Sequence, residues 1–335
     1  MQAYLTSFWG HYTIPILCLF LCGNCNNTTN VEEAIATTPP PHIVFVTGDE
    51  EYRSEESMPM LARIAERELG TKVSVCYAID SAGFINPNRL DHIAGLEVLK
   101  DANLMVLFTR FRQLPDEERA YITNYVESGR PIVGFRTSTH AFLYPDPKDT
   151  SLLYWNNEWP TKVFGQQWIT HHGHFDDGTK TLTAVGKALE KGHSPILRGI
   201  VDSFQTYSWL YHVDGGDWQL SGDSDPLLIG RSLRSKHAAE GRLDQFPITN
   251  PVAWTKTYTG KSGQAARVFF TTLGHPYDFK LTPMRRLALQ GIYWALGKEA
   301  EIPTDGLNVS TVGPYNPNNS GFGEKFKIGM KPGEL

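Results

Sequence analysis

Arg130-Pro-Ile-Val-Gly-Phe-Arg-Thr-Ser-Thr-His-Ala-Phe142 is the stretch that decides the fold. Pro131 to Phe135 reads as a short buried strand, and the polar residues after it read as a turn entering a helix. Such a strand-to-turn unit belongs to an open parallel α/β sheet, where ligands sit outside the carboxyl ends of the strands. In many α/β enzymes a nucleophile occupies this elbow. Here the turn holds Arg136, Thr137, Ser138, Thr139 and His140, and no cysteine. An arginine and a histidine stand where a nucleophile is expected.

Working outward, the same grammar repeats. Ile43 to Thr47 is an apolar run that ends in Gly48-Asp-Glu-Glu51, a buried strand with an acidic loop at its end. Ser57 to Leu69 has helical spacing and Gly70 as its stop. Val73 to Ala78 and Leu104 to Phe108 read as further strands, the second ending in Arg110 and Arg112. Asp116 to Ser128 reads as a helix. From about Tyr144 to Gln245 the chain turns rich in Trp, His, Gly and Asp and reads as a loop-rich cap insertion. The parallel pattern returns at Pro251–Thr257 and Ala266–His275, and Leu281 to Leu296 is the last helix. The expected fold class is α/β: a doubly wound, mostly parallel flavodoxin-like sheet.

The chain has 335 residues, 41% hydrophobic, enough for one large α/β domain with a full core. Its net charge of −5 is spread without a basic block, so nothing predicts a nucleic-acid partner. Residues 1–25 read as an export signal, with Ile14 to Cys22 an apolar run too short to span a membrane comfortably. No Lys or Arg precedes that run. Cys22 and Cys25 resemble lipoprotein acceptors, which would tether the chain to a membrane. Residues 26–41 form a polar linker closing on Thr37-Thr-Pro-Pro-Pro41. The domain is placed at residues 42–300, with an extended Gly/Asn/Pro-rich tail at 301–335. The expected location is periplasmic or at the cell surface. Only Cys76 remains in the domain, so no disulfide forms within it.

Four strand ends bring polar groups to one edge, and these are the candidate site residues. His275 follows Gly274 at the end of the last strand and suits a general acid or base. It equally suits a turn cap. His140 lies four residues after Arg136, a spacing that stacks both on one helical face. Arg136 offers a planar fork for a carboxylate or sugar oxygens, or an ion pair closing the sheet edge. Asp49 and Glu51, with Glu50, offer carboxylates that bind hydroxyls or act as a base; the alternative is a solvated loop that caps the next helix. Arg110 joins them. Ser138 at the elbow lacks the ordered acid and histidine of a hydrolase. His171-His-Gly-His174 matches no zinc signature, and His174 is read as a substrate contact. Tyr207 and Trp254 are candidate platforms for sugar stacking, though aromatic residues are more often core.

Taken together, Val133 to Phe142, Gly173-His174, His193-Ser-Pro-Ile-Leu-Arg-Gly-Ile200 and the run from Pro251-Val-Ala-Trp-Thr to Leu273-Gly-His275 resemble the ThuA-like, or trehalose-utilisation, family. The resemblance implies a class I glutamine amidotransferase-like fold and a role in disaccharide catabolism, including oxidised 3-keto sugars. In that superfamily a cysteine sits at the elbow; its absence here argues against glutaminase chemistry. No cofactor is indicated. Three functions are expected. The first is an exported enzyme acting on a sugar or keto-sugar, with His275 or His140 as base and Arg136 at the developing oxyanion, by proton abstraction or by hydrolysis. The second is a non-catalytic carbohydrate-binding protein. The third is a metal-dependent hydrolase built on His171, His172, His174 or the acidic loop.

Overall fold

The computed structural model describes residues 39–173, 183–188, 194–214 and 219–335. In chain order the strands are β1 (His42–Gly48), β2 (Lys72–Cys76), β3 (Leu104–Thr109), β4 (Ile132–Phe135), β5 (Gln167–His171) and β6 (Thr183–Lys187). They continue with β7 (Ser203–Thr206), β8 (Tyr211–Asp214), β9 (Asp225–Ser232), β10 (Thr249–Thr259) and β11 (Ala265–Thr271). The α-helices are α1 (Ser54–Leu69), α2 (Asp116–Glu127), α3 (Leu153–Phe164), the short α4 (Lys236–Ala239) and α5 (Thr282–Ala295).

Among the described residues, nine strands form one sheet in the order β2-β1-β3-β4-β11-β10-β9-β6-β7. β5 and β8 pair separately. The apolar strands β1, β3 and β4 are buried throughout, as central strands covered on both faces must be. Their alternate residues point opposite ways. Phe45, Val106, Val133 and Phe269 meet α1 and α5 in one core; Val44, Met105, Ile132 and Phe270 meet α2 and α3 in the other. β4 passes under crowded rings at Gly134, where a Cβ would meet Phe270 at 2.6 Å and Phe164 at 2.7 Å.

The sheet is mixed, not mostly parallel. β2, β1, β3, β4 and β11 run parallel to their neighbours in that order. Beyond β11, every pairing through β10, β9, β6 and β7 is antiparallel. The reason lies in the connections. A short turn joins β10 to β11, and only antiparallel strands can be joined so tightly. Much of the segment expected to cap the sheet extends it instead, because β6, β7 and β9 build its far edge. Pro40–Leu335 packs as one unit, and the tail supplies the buried side chains Ile302, Leu307, Val309 and Phe326. Among the described residues, no helix is long and apolar enough to cross a membrane.

The elbow also differs from expectation. Arg136–His140 is a single 3₁₀ turn, not the start of a helix. Its hydroxyls are committed locally: Thr137 Oγ1 donates to Asp49 Oδ2, Ser138 Oγ to the Leu107 carbonyl at 2.8 Å, and Thr139 Oγ1 to the Arg136 carbonyl at 3.2 Å. Such bonds compete with helix formation.

Candidate functional site

The carboxyl ends of β1, β3 and β4 each carry a non-glycine residue in the left-handed region: Arg53 (φ 54°), Phe111 (φ 50°) and Arg136 (φ 40°). Backbone strain of this kind gathers where side chains are being aimed. After β4, Arg136 is fully buried between two rings, its guanidinium 4.1 Å from Tyr52 and 4.5 Å from Tyr211. Nη1 donates to the Thr272 carbonyl at 2.8 Å, and Nη2 to Tyr52 Oη at 2.9 Å. Gly274 permits this approach, since a Cβ there would lie 3.0 Å from Arg136 Cβ. Arg136 is therefore neither a substrate fork nor half of a surface ion pair. It is a cation held by π-faces and carbonyls, and it acts on the site through its field.

After β1, the acidic loop is buried, not solvated. Asp49 accepts from the Glu51 and Tyr52 amides at 2.7 and 2.8 Å and from Thr137, so its oxygens bind the loop to the elbow rather than a sugar. Glu50 pairs with both Arg110 and Arg112. Glu51 faces Arg110, whose Nε lies 3.2 Å from Oε2 without the N–H direction of a hydrogen bond, and its carboxyl takes a hydrogen bond from the Tyr52 side chain. Burial pushes the Glu51 carboxyl up to about 7, with Arg110 opposing and Asp49 adding to the rise. A carboxyl that titrates near neutrality suits proton transfer.

His140 packs against Phe111 at 4.9 Å and Trp168 at 5.1 Å between ring centroids, with Tyr211 farther off at 6.1 Å. The two expected face-mates do not stack on each other, because the turn is not helical; both border Tyr211. Burial, then Arg110 and Arg136, holds the His140 imidazole far below its ordinary range. His171, beside Trp209 at 4.9 Å, is pushed down to about 3 by burial and then Lys236.

His275 stacks on Tyr207 at 5.6 Å. Its Nδ1 accepts from the Tyr277 amide at 3.0 Å, and its Nε2 meets Ser320 Oγ at 2.9 Å. An accepting Nδ1 makes Nε2 the protonated nitrogen. Burial, then Arg136, pushes this imidazole down to about 3. Neither nitrogen then has a free lone pair, so His275 is a hydrogen-bond donor and not the expected base.

Among the other sequence candidates, Tyr207 keeps 38% of its surface exposed beside His275, as a platform needs. Trp254 does not serve: it is fully buried, with Nε1 donating to the Phe164 carbonyl at 2.7 Å. Ser138 is likewise fully buried; its oxygen also accepts from the Thr109 amide at 3.4 Å, so it stitches the elbow to β3. His174 lies outside the described residues. Among the described residues, no three His, Cys, Asp or Glu side chains converge to hold a metal. His172 turns away from the edge and bonds Ser235 Oγ through Nδ1 at 2.7 Å. Cys76 is buried on β2, and burial pushes its thiol up to about 12, far from any nucleophile. The sequence reading missed Tyr52, Tyr211, Trp168 and Ser320. Tyr52 had a signal, standing next to Glu51 at a strand end; the others had none.

The fold defines an α/β protein that gathers buried charged and aromatic side chains at the carboxyl edge of its parallel strands. The family model described as "ThuA: Trehalose utilisation" matches residues 42–295, and the chain belongs to that family. A ThuA-like protein from Bacteroides uniformis is similar at 16% identity and a TM-score of 0.49, over 78% of this chain and 93% of its own. One from Parabacteroides merdae is similar at 16% identity and a TM-score of 0.49, over 77% of this chain and 90% of its own. A comparison with curated protein sequences finds no match.

Proposed function

We propose that this chain is an exported enzyme of carbohydrate catabolism that moves a proton next to the carbonyl of a keto-sugar. The observation that carries the proposal is Glu51: a buried carboxyl raised to about 7, beside the Arg110 cation that Phe111 and Phe322 flank. Ionised Glu51 takes the proton from the carbon next to the carbonyl. The electron pair moves to the carbonyl oxygen as an enolate. Arg110, with 15% of its side chain exposed, is the accessible cation for that charge, and Arg136 adds its field from beneath. For isomerisation, the hydroxyl proton of the attacked carbon passes to the enolate oxygen and Glu51 returns its own proton to the former carbonyl carbon, so the carbonyl moves over by one. For elimination, the enolate expels a leaving group from the next carbon with its electron pair. Tyr207 offers its ring to the sugar face. The family's trehalose-utilisation description supports a sugar as the substrate class. The apolar run Ile14 to Cys22 supports export, and Cys22 or Cys25 a lipid tether.

One observation favours a second reading, a non-catalytic carbohydrate-binding protein. His140, His171 and His275 are all held neutral, and His275 has no lone pair to offer. Neutral imidazoles bind hydroxyls well without catalysing anything. The test is NMR-monitored incubation of the protein with 3-keto-glucosides and their unoxidised parents in deuterated buffer. The enzyme reading expects deuterium uptake or product with the keto-sugars only. Ligand line-broadening with neither exchange nor product selects the binding protein.

A further inference from the structure

The tail beyond the last helix lies outside the span matched by the family model, yet it reaches three site residues at once. Its Gly321 amide donates to the Glu51 carbonyl at 2.8 Å. Phe322 lies over the Arg110 guanidinium at 5.1 Å. Ser320 Oγ meets His275 Nε2 at 2.9 Å, and the Asn319 side chain is a second hydrogen-bond partner of the imidazole.

The tail is fixed on both sides of Ser320. Upstream, Tyr315 Oη donates to the Pro276 carbonyl at 3.0 Å, and the Asn318 amide to Glu56 Oε1 at 3.2 Å. Downstream, the Gly321 carbonyl accepts from Arg53 Nη2 at 2.9 Å, and Lys327 Nζ meets Glu56 Oε2 at 2.5 Å. Farther on, the Met330 carbonyl accepts from the Ile85 amide at 2.8 Å. A segment held at so many points on each side behaves as wall, not as a loose end.

We propose that Ser320 is the positioning residue for His275 and makes the tail a working part of the site. With Nδ1 bound to the Tyr277 amide, His275 presents Nε2–H, and Ser320 Oγ accepts it. The serine hydroxyl keeps its own hydrogen to give. Ser320 is only half-buried, so that hydrogen is available to a ligand oxygen. The imidazole polarises the hydroxyl, and His275 reaches the ligand through it. The ligand role rests on the carbohydrate reading above; the His275–Ser320 coupling does not.

The test uses the full chain as wild type, Ser320→Ala and Ser320→Thr. Nitrogen-edited NMR reads the His275 ring. Wild type and Ser320→Thr are expected to show a protected Nε2–H signal. In Ser320→Ala that signal is lost to exchange with water, while the backbone amide spectrum holds. A ring-proton signal unchanged in Ser320→Ala overturns the assignment. The second arm is affinity for methyl 3-keto-glucoside. Ser320→Ala is expected to bind about tenfold more weakly, the loss of one hydrogen bond to a ligand, and Ser320→Thr to restore binding. Equal affinity in wild type and Ser320→Ala overturns the ligand role. If wild type binds neither the keto-glucoside nor its parent, yet the ring signal vanishes in Ser320→Ala, the carbohydrate reading falls and the positioning role stands.

Discussion

Glu51 keeps its proton to near neutrality because burial outweighs the pull of Arg110, whose guanidinium is shared with Glu50. The consequence for stability has a definite sign. The folded carboxyl titrates at about 7 against an ordinary 4.5, so folding favours its protonated form. That contribution is full below the ordinary value and is lost as pH rises through the folded one. Glu51→Gln should therefore match wild type in thermal melts near about pH 4 and melt higher near about pH 8. Arg136 carries a different expectation. Arg136→Met strips the cation from between Tyr52 and Tyr211 and orphans the Thr272 carbonyl. Urea unfolding should show a loss of about 3 kcal/mol. Arg136→Lys should recover little of it, since an ammonium cannot stack flat between two rings and reach both partners.

At the scale of elements, the elbow is a set of hydroxyls tying β1, β3 and β4 together. Ser138→Ala should cost about 1–2 kcal/mol in urea unfolding and leave ligand affinity unchanged. A loss of affinity at full stability would instead put Ser138 in contact with the ligand. The parallel half of the sheet was legible because β1, β3 and β4 are apolar runs that stop abruptly at polar strand ends. The antiparallel half was not, since β6 and β7 are short, and neither they nor the longer β9 carry a clean alternation of burial. The elbow misled for a physical reason. Spacing reports which face a residue takes only if the backbone is helical, and three consecutive hydroxyls turned it aside. Arg110, Glu51 and His275 were found because strand ends are where an α/β sheet keeps its chemistry, and Tyr207 only as one aromatic residue among several. Which of them can take a proton was invisible, because that depends on burial and on partners far away in the chain.

At the scale of the molecule, one buried carboxylate joins the far strands to the site. Asp278 is fully buried and accepts from the Tyr207 amide at 2.6 Å, from Ser208, and from the Gly274 and His275 amides at 3.2 Å. It fixes Tyr207 and His275 to each other across the sheet. Asp278→Ala leaves the buried Tyr207 amide and Ser208 hydroxyl without their acceptor, and loosens the Ser208 oxygen that the Gly274 and His275 amides share with it, and should cost about 3 kcal/mol in urea unfolding. Amide exchange should quicken at Tyr207 and His275 together. Exchange that quickens at one alone would mean the two are held independently. The tail adds the third side of the same enclosure, over Glu51, Arg110 and His275.

The measurement that tests the central claim most directly is the pH profile of keto-sugar deuterium exchange in wild type and Glu51→Gln. Wild-type exchange should rise with pH and level off above about 7, where Glu51 is ionised. Glu51→Gln should lose about a hundredfold or more in rate, together with that rise, while keeping its affinity for the sugar. A variant that exchanges at the wild-type rate with the same profile would remove Glu51 from the chemistry and contradict the account.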